Sequence, residues 1–257
     1  MIKGLYTSAL GMITMMRKMD VTADNIANVN TTGFKKDRVA TRSFTEELLK
    51  RLDDPGDQPY HDAPLGRISQ GVFIDDIYTD FASGGFRKTS APLDLAISGN
   101  GFFCISATDR TGQSNELYTR DGSFTLGLDG LLLTKEGNPV LGANGMILIP
   151  PGQITVDEDG RIFSNGEYID TLKMTDFNDT HELRKRENNM FSATNRALQT
   201  AFTGTIQAGF LENSNVSPIR EVINMVTTAR IFDSNQRMIT IHDTILNRAV
   251  NDIGRKI

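Results

Sequence analysis

The chain has 257 residues, enough for one large domain or two ordinary ones and for a sizeable buried core. Its 27 Lys and Arg against 32 Asp and Glu leave a net charge of −5, which gives no general electrostatic reason to bind nucleic acid or an anionic membrane. With 39% hydrophobic residues but no apolar run near ~18 residues, no transmembrane helix is expected. A single cysteine, Cys104, rules out an intramolecular disulfide.

The predicted elements begin with a long helix. Apolar or small residues fall at Ile2, Leu5, Ala9, Met12, Met16, Met19, Ala23 and Ile26, in alternating steps of three and four, the seam of a heptad helix. Residues 28–33 supply stop chemistry, with Gly33 suited to a left-handed closing residue. This N-terminus mixes apolar and polar residues and has no clear small-residue cleavage site, so no signal peptide is expected. Residues 37–74 read as a linker or extended segment. Within it, 42–52 are expected to form a short helix and 53–64 a polar, Pro-containing connector.

The middle of the chain follows a different rule. Asn100-Gly101, Asp121-Gly122, Asp129-Gly130, Asn144-Gly145, Asp159-Gly160 and Asn165-Gly166 recur between short apolar runs, as hairpin turns do. Residues 124–133 alternate into and out of one such turn, Val156 and Arg161-Ile-Phe163 flank another, and 205–211 read as a final strand. Ser217-Pro218, with Glu221 in the first turn, then starts a second helix. Its seam runs through Val222, Met225, Ala229, Phe232, Gln236, Ile239, Asp243, Leu246, Val250, Ile253 and Ile257, with Gln236 and Asp243 as polar, register-setting positions. The two helices would be roughly 37 Å and 54 Å long. Gross burial along the shorter seam is on the order of 10 kcal/mol. Ordering its backbone costs roughly 1–2 kcal/mol per residue, so an isolated pair is marginal and an assembly satisfies it better.

The fold class is therefore α+β. Long N- and C-terminal helices of coiled-coil type pack together (1–36 and 215–257), and 37–74 join them to a central all-β module of short strands and hairpins (75–214).

Side chains that carry chemistry are sparse. His61, His181 and His242 stand in unrelated contexts without metal-ligand spacing and read as surface or interface residues. Cys104, after two Phe, reads as a buried strand residue. Gly99-Asn100-Gly101 lacks the third glycine and the helix of a dinucleotide site. Residues 155–160 lack the terminal acids of a calcium loop and read as a solvated turn. Lys35-Lys36 and Arg184-Lys-Arg186 read as solvated faces, with contacts to acidic subunits as the alternative. Met12, Met15, Met16 and Met19 are either ordinary helix core or thioethers adapting to non-identical neighbours. No catalytic, metal or cofactor-binding residue is assigned.

The stretch Met19-Asp-Val-Thr-Ala-Asp-Asn-Ile-Ala-Asn-Val-Asn-Thr-Thr-Gly-Phe-Lys35 resembles the N-terminal signature of bacterial flagellar rod and hook proteins, with Asp24-Asn25 where that family usually has a doubled Asn. Asp94-Leu-Ala-Ile-Ser-Gly-Asn-Gly-Phe-Phe103, Tyr118-Thr-Arg-Asp-Gly-Ser-Phe124 and Gly209-Phe-Leu-Glu-Asn-Ser-Asn-Val216 resemble its later motifs in the same order. In the last helix the family's Gln-Arg-x-Tyr-Glu stands as Ala229-Arg-Ile-Phe-Asp233. Length and central motifs look most like the distal-rod members and their proximal-rod relatives.

The resemblance implies a structural rod subunit of the basal body without enzymatic activity, spanning the periplasm as part of a torque-transmitting shaft. A hook or hook-junction subunit is the alternative. It implies export without a cleaved signal through the flagellar type III apparatus and helical self-assembly that does not close into a ring. Implied contacts are with other rod and hook proteins and, where present, the P-ring and L-ring bushing. No cofactor, nucleic acid or membrane insertion is implied. The expected assembly interface comprises Leu5, Ala9, Met12, Met16, Met19, Ala23, Asn25, Ile26, Asn28, Gly33 and Phe34, with Val222, Met225, Ala229, Phe232, Ile239, Leu246, Val250 and Ile253. Asn25 and Asn28 either bond to neighbouring helices or simply end their own.

Overall fold

A computed structural model describes residues 2–44, 46–50, 64–69, 71–108 and 114–254. The chain divides into two compact units, Met1–Asp24, Asp37–Tyr78 and Ile219–Ile257 in the first, Asn25–Lys36 and Thr79–Pro218 in the second. Two helices, α1 (Ile2–Ala27) and α2 (Pro218–Gly254), follow the sequence periodicity, with the last expected seam residue, Ile257, outside the described residues. At 26 and 37 residues they run about 39 Å and 55 Å. Pro218 opens α2 and Glu221 lies in its first turn, where a proline's missing N–H and a carboxylate are both favourable.

In the first unit α1 and α2 approach at two points: a side chain added at Gly4 would meet His242, and one at Gly11 would meet Asn235. The same unit holds two strand pairs, Asp37–Ser43 with Val72–Thr79 and Glu46–Lys50 with Pro64–Ser69. The short helix expected over 42–52 is thus replaced by strand, with residues 51–52 and most of the expected connector outside the described residues. Glu46-Glu-Leu-Leu-Lys50 favours helix by itself, but cross-strand pairing with Pro64–Ser69 overrides that weak preference.

The second unit is the β-rich module. Its largest sheet has six strands in the order Leu183–Lys185, Met190–Ala193, Ser114–Thr119, Phe102–Thr108, Met174–Phe177 and Gln199–Ala201. One core cluster gathers Leu95, Ile97, Phe103, Ile105, Val140, Ile147 and Ile162. The other packs Phe102, Cys104, Tyr118, Phe177 and Phe191, with rings edge to face at 4.9–5.9 Å.

The expected hairpins form at 125–133 and 154–164. Asn165 and Gly166 both have positive φ, 53° and 85°, matching the tight turn that joins Arg161–Ser164 to Glu167–Thr171. Asp121-Gly122 serves another end: a Cβ on Gly122 would lie 1.6 Å from the Leu95 carbonyl oxygen, so this glycine permits close approach rather than a hairpin. The expected final strand splits at Gly209 into Thr205–Ala208 and Phe210–Glu212, which pair with different partners.

Candidate assembly site

On α2 the less exposed positions are Glu221, Met225, Thr228, Phe232, Asn235, Ile239, His242, Leu246 and Ala249, in an unbroken alternation of four and three, with Ala229 half-buried beside them. Met225, Phe232, Ile239 and Leu246 were expected there. The other half of the expected seam has rotated outward: Val222 is 49% and Val250 69% exposed, and Gln236 and Asp243 are exposed too. Polar residues one position earlier take the inner places. On α1, Leu5, Ala9, Met12, Met19 and Ile26 are half-buried, whereas Met16 and Ala23 are exposed. The most buried residues of that helix are Ser8, Thr14, Thr22 and Asn25. Thr14 and Thr22 lie within 2.9 Å of the carbonyls of Leu10 and Lys18, so their hydroxyls are satisfied inside the helix and can be buried at little cost. The Ile253 side chain lies outside the described residues.

What remains outside is strongly apolar. Ile219, Val222, Ile223 and Val226 crowd the first turns of α2, each 48% exposed or more, and Ile231, Met238 and Ile245 follow at seven-residue intervals. Tyr6, Ile13 and Met16 do the same on α1.

The signature at the end of α1 has a different environment. Asn28 accepts from the Thr31 hydroxyl at 3.2 Å, a local turn after the helix, and Asn25 is buried in the last helical turn. Gly33 (φ 63°) donates its N–H to the Glu212 carbonyl at 2.8 Å. Thr32 donates to Asp121 at 2.6 Å and receives the Asn189 amide on its carbonyl at 3.1 Å. Phe34 is buried beneath the Lys185 ammonium, 3.9 Å from the ring centre. Asn215 accepts from the Lys36 N–H at 2.8 Å and donates to the Asp80 carbonyl at 2.7 Å.

At the centre stands Lys35, 0% exposed, its ammonium 2.7 Å from the Glu212 carboxylate and 3.0 Å from the Ala82 carbonyl. Glu212 also accepts the Gly84 N–H at 2.9 Å. Arg120 lies 3.6 Å from it, over the Phe102 ring, and donates to the Gly99 carbonyl at 2.8 Å. The 25–35, 118–124 and 209–216 motifs therefore meet in one buried cluster of two cations and one anion.

This corrects the reading of Lys35-Lys36 and Arg184-Lys-Arg186 as solvated faces. Lys35 is fully buried, Lys36 pairs with Asp80 at 3.8 Å, and Lys185 clasps Phe34. Arg184 and Arg186 are exposed as expected. A charge run is normally solvated, but buried Glu212 supplies the counter-charge that makes burial of Lys35 tolerable. Asn188 and Asn189, both at positive φ, form the turn before Met190–Ala193. Sequence reasoning passed over them because no glycine marks the turn, although asparagine itself tolerates that conformation.

A Cβ at Gly33 would stand 2.5 Å from the Arg120 backbone. Gly33→Ala should lower the unfolding free energy by about 1–3 kcal/mol from backbone strain alone, with the clash adding to it. Urea denaturation of the full-length chain measures this.

Burial pulls the Lys35 ammonium below its ordinary value of 10.5; Glu212 opposes the fall and Arg120 adds to it. A base whose folded value lies below its unfolded one leaves the unfolded chain holding more protons in between, so stability rises with pH across the window that ends near 10.5. Lys35→Met should therefore remove an alkaline gain: the wild type's stability relative to the variant should increase towards the top of that window. Denaturation midpoints of the two proteins at several alkaline pH values check the sign.

Cys104 is buried beside Thr175, and burial pushes its thiol up to about 12, which suits core packing rather than nucleophilic chemistry. His181 is exposed, His242 half-buried, and His61 lies outside the described residues. Among the described residues no group of three His, Cys, Asp or Glu is placed to hold a metal ion, and no helix is long and apolar enough to cross a membrane.

Three family models match the chain: flagella basal body rod protein over residues 5–35, the D1 domain of flagellar hook protein FlgE/F/G over 96–164, and the C-terminal part of flagellar basal body rod FlgEFG protein over 207–252. The flagellar basal-body rod protein FlgF of Caulobacter vibrioides is 32% identical over 259 residues, covering 99% of each chain. FlgG of Bacillus subtilis, also a flagellar basal-body rod protein, is 33% identical over 270 residues, covering 98% of this chain and 99% of its own. A flagellar hook-basal body complex protein of the same organism, FlhO, is 26% identical over 99% of this chain and all of its own. The motifs that gather around Lys35 and Glu212 thus lie in a sequence matched from end to end, and the chain belongs to the flagellar basal-body rod protein family.

Proposed function

We propose that the chain is a structural subunit of the flagellar rod, located in the basal body, which polymerises helically through α1 and α2 and transmits torque along the shaft. It is not an enzyme; its work is mechanical. The observation that carries this reading is the contrast between the two units. Every buried hydrophobic residue among the described residues lies in the β-rich unit, whereas α1 and α2 leave Tyr6, Ile13, Ile223, Val226, Met238 and Ile241 exposed along long helices. Exposed apolar surface on this scale marks an interaction face, and helices with seven-residue periodicity meet such faces in coiled-coil geometry.

In this reading Leu5, Met12, Met19, Phe232, Ile239 and Leu246 line the inner seam. Val222, Val250, Met16 and Ala23 meet neighbouring subunits, other rod and hook proteins among them. Gly33 and Phe34 act at one remove, by fixing where the chain leaves α1. Passage through the flagellar export apparatus and contact with the outer rings belong to the same proposal. The rod is favoured over the hook because relatives at 32% and 33% identity are named rod proteins.

Electron microscopy of basal bodies from a strain lacking the gene tests it. Shafts ending inside the envelope are expected. Complete rods lacking only the hook would move the chain to the hook, and intact, functional basal bodies would overturn the proposal.

A further inference from the structure

The inner face of α2 is half polar in a regular way. Glu221, Thr228, Asn235 and His242 recur every seven residues, interleaved with Met225, Phe232, Ile239 and Leu246. Apolar residues at both sets would pair more tightly; a polar residue at a seam gives up stability and selects register. On α1, Gly4 and Gly11 are also seven residues apart, and each costs about 1 kcal/mol against Ala inside a helix.

These two irregularities meet. A Cβ at Gly4 would stand 2.7 Å from His242 Nε2, and one at Gly11 would stand 3.0 Å from Asn235 Nδ2. The other ring nitrogen, His242 Nδ1, is buried without a hydrogen-bond partner among the described residues, so this imidazole occupies its place by shape rather than by bonding. Descending numbers on α2 face ascending numbers on α1, which makes the helices antiparallel with both notches filled at once. Slipping by one heptad in one direction brings Asn235 against Lys18, which has a long side chain where a notch is needed. Slipping in the other carries His242 beyond the start of α1.

We propose that Gly4–His242 and Gly11–Asn235 form a two-point key that sets the register of α1 on α2. Register in turn fixes which apolar residues face outward together, so the key determines the surface a subunit offers to its neighbours. This rests on the reading of the helices as the assembling elements.

The test traps the pairing in the purified full-length chain with a short thiol-specific cross-linker; Cys104 is buried and does not compete. Thr7→Cys with Met238→Cys, both exposed, reports the observed register, and Thr7→Cys with Ile245→Cys reports a slip of one heptad. The first pair should cross-link about tenfold more, the ratio that a preference of about 1.4 kcal/mol gives. Gly4→Leu fills a notch of the observed register but faces Ala249 after the slip, so it should bring the two yields to parity; adding His242→Ala, which vacates the space the leucine needs, should restore the preference. Equal yields in the parent chain, or an undiminished preference in Gly4→Leu, would overturn the key, as would failure of His242→Ala to restore it. Amide-exchange protection of residues 95–105 reports whether the β-rich unit stays folded in each variant. Because cross-linking needs no flagellum, its failure is distinct from that of the rod reading, which is decided by basal bodies of the deletion strain.

Discussion

Glu212→Gln should lower the unfolding free energy of the β-rich unit by about 3–5 kcal/mol, the cost of breaking a buried ion pair from one side. The carboxylate takes the Lys35 ammonium at 2.7 Å and the Gly84 N–H at 2.9 Å, with the Arg120 guanidinium at 3.6 Å. An amide at that position keeps the shape but leaves two buried cations facing one another. Lys35→Met should cost less, because it leaves Arg120 and Glu212 as a balanced pair. Its penalty is that of lost charge-assisted hydrogen bonds, about 1.5–3 kcal/mol. The order of the two variants is the informative quantity. Amide exchange of residues 95–105, in the core of this unit, followed as a function of urea concentration, reads it. A Glu212→Gln protein as stable as wild type, or one more stable than Lys35→Met, would mean that the cluster does not hold the motifs together.

Leu246→Asp should abolish swimming while leaving that transition of residues 95–105 where it was. Leu246 lies on the inner face of α2, in the unit that contains neither those residues nor the charge cluster. A carboxylate there is desolvated without a partner whenever the helices pack. A penalty of about 3 kcal/mol per contact is already a loss of roughly a hundredfold in affinity, and a polymer meets it at every subunit. Wild-type swimming in this variant would contradict assembly through the helices; a shifted transition of residues 95–105 would show the two units to be energetically coupled.

The sequence revealed helices and sheet module readily because each follows a single physical period. Steps of three and four outline α1 and α2 almost to their ends, and Asn-Gly or Asp-Gly mark most turns of the β-rich unit. Facing was harder to read. A search for apolar residues at heptad spacing selects Val222 and Val250, yet the seam turns toward Thr228, Asn235 and His242, whose seven-residue spacing was visible but polar. Strand at Glu46–Lys50 could not be read locally, since its partner lies at Pro64–Ser69. The charge cluster was hidden for the same reason. Lys35, Arg120 and Glu212 are far apart in the chain, and an isolated Lys-Lys pair carries no sign of the buried carboxylate that will meet it.

Amide hydrogen exchange, compared between the free full-length chain and the same chain in isolated basal bodies, tests the central claim most directly. If α1 and α2 are the assembling elements and the β-rich unit is closed by its own core and charge cluster, residues 95–105 and 206–212 should be protected in both states. The amides of α1 and α2, whose pairing in the free chain is marginal, should exchange far faster there than the β-rich unit does, and should become strongly protected on assembly. Helices equally protected before and after incorporation would contradict the account.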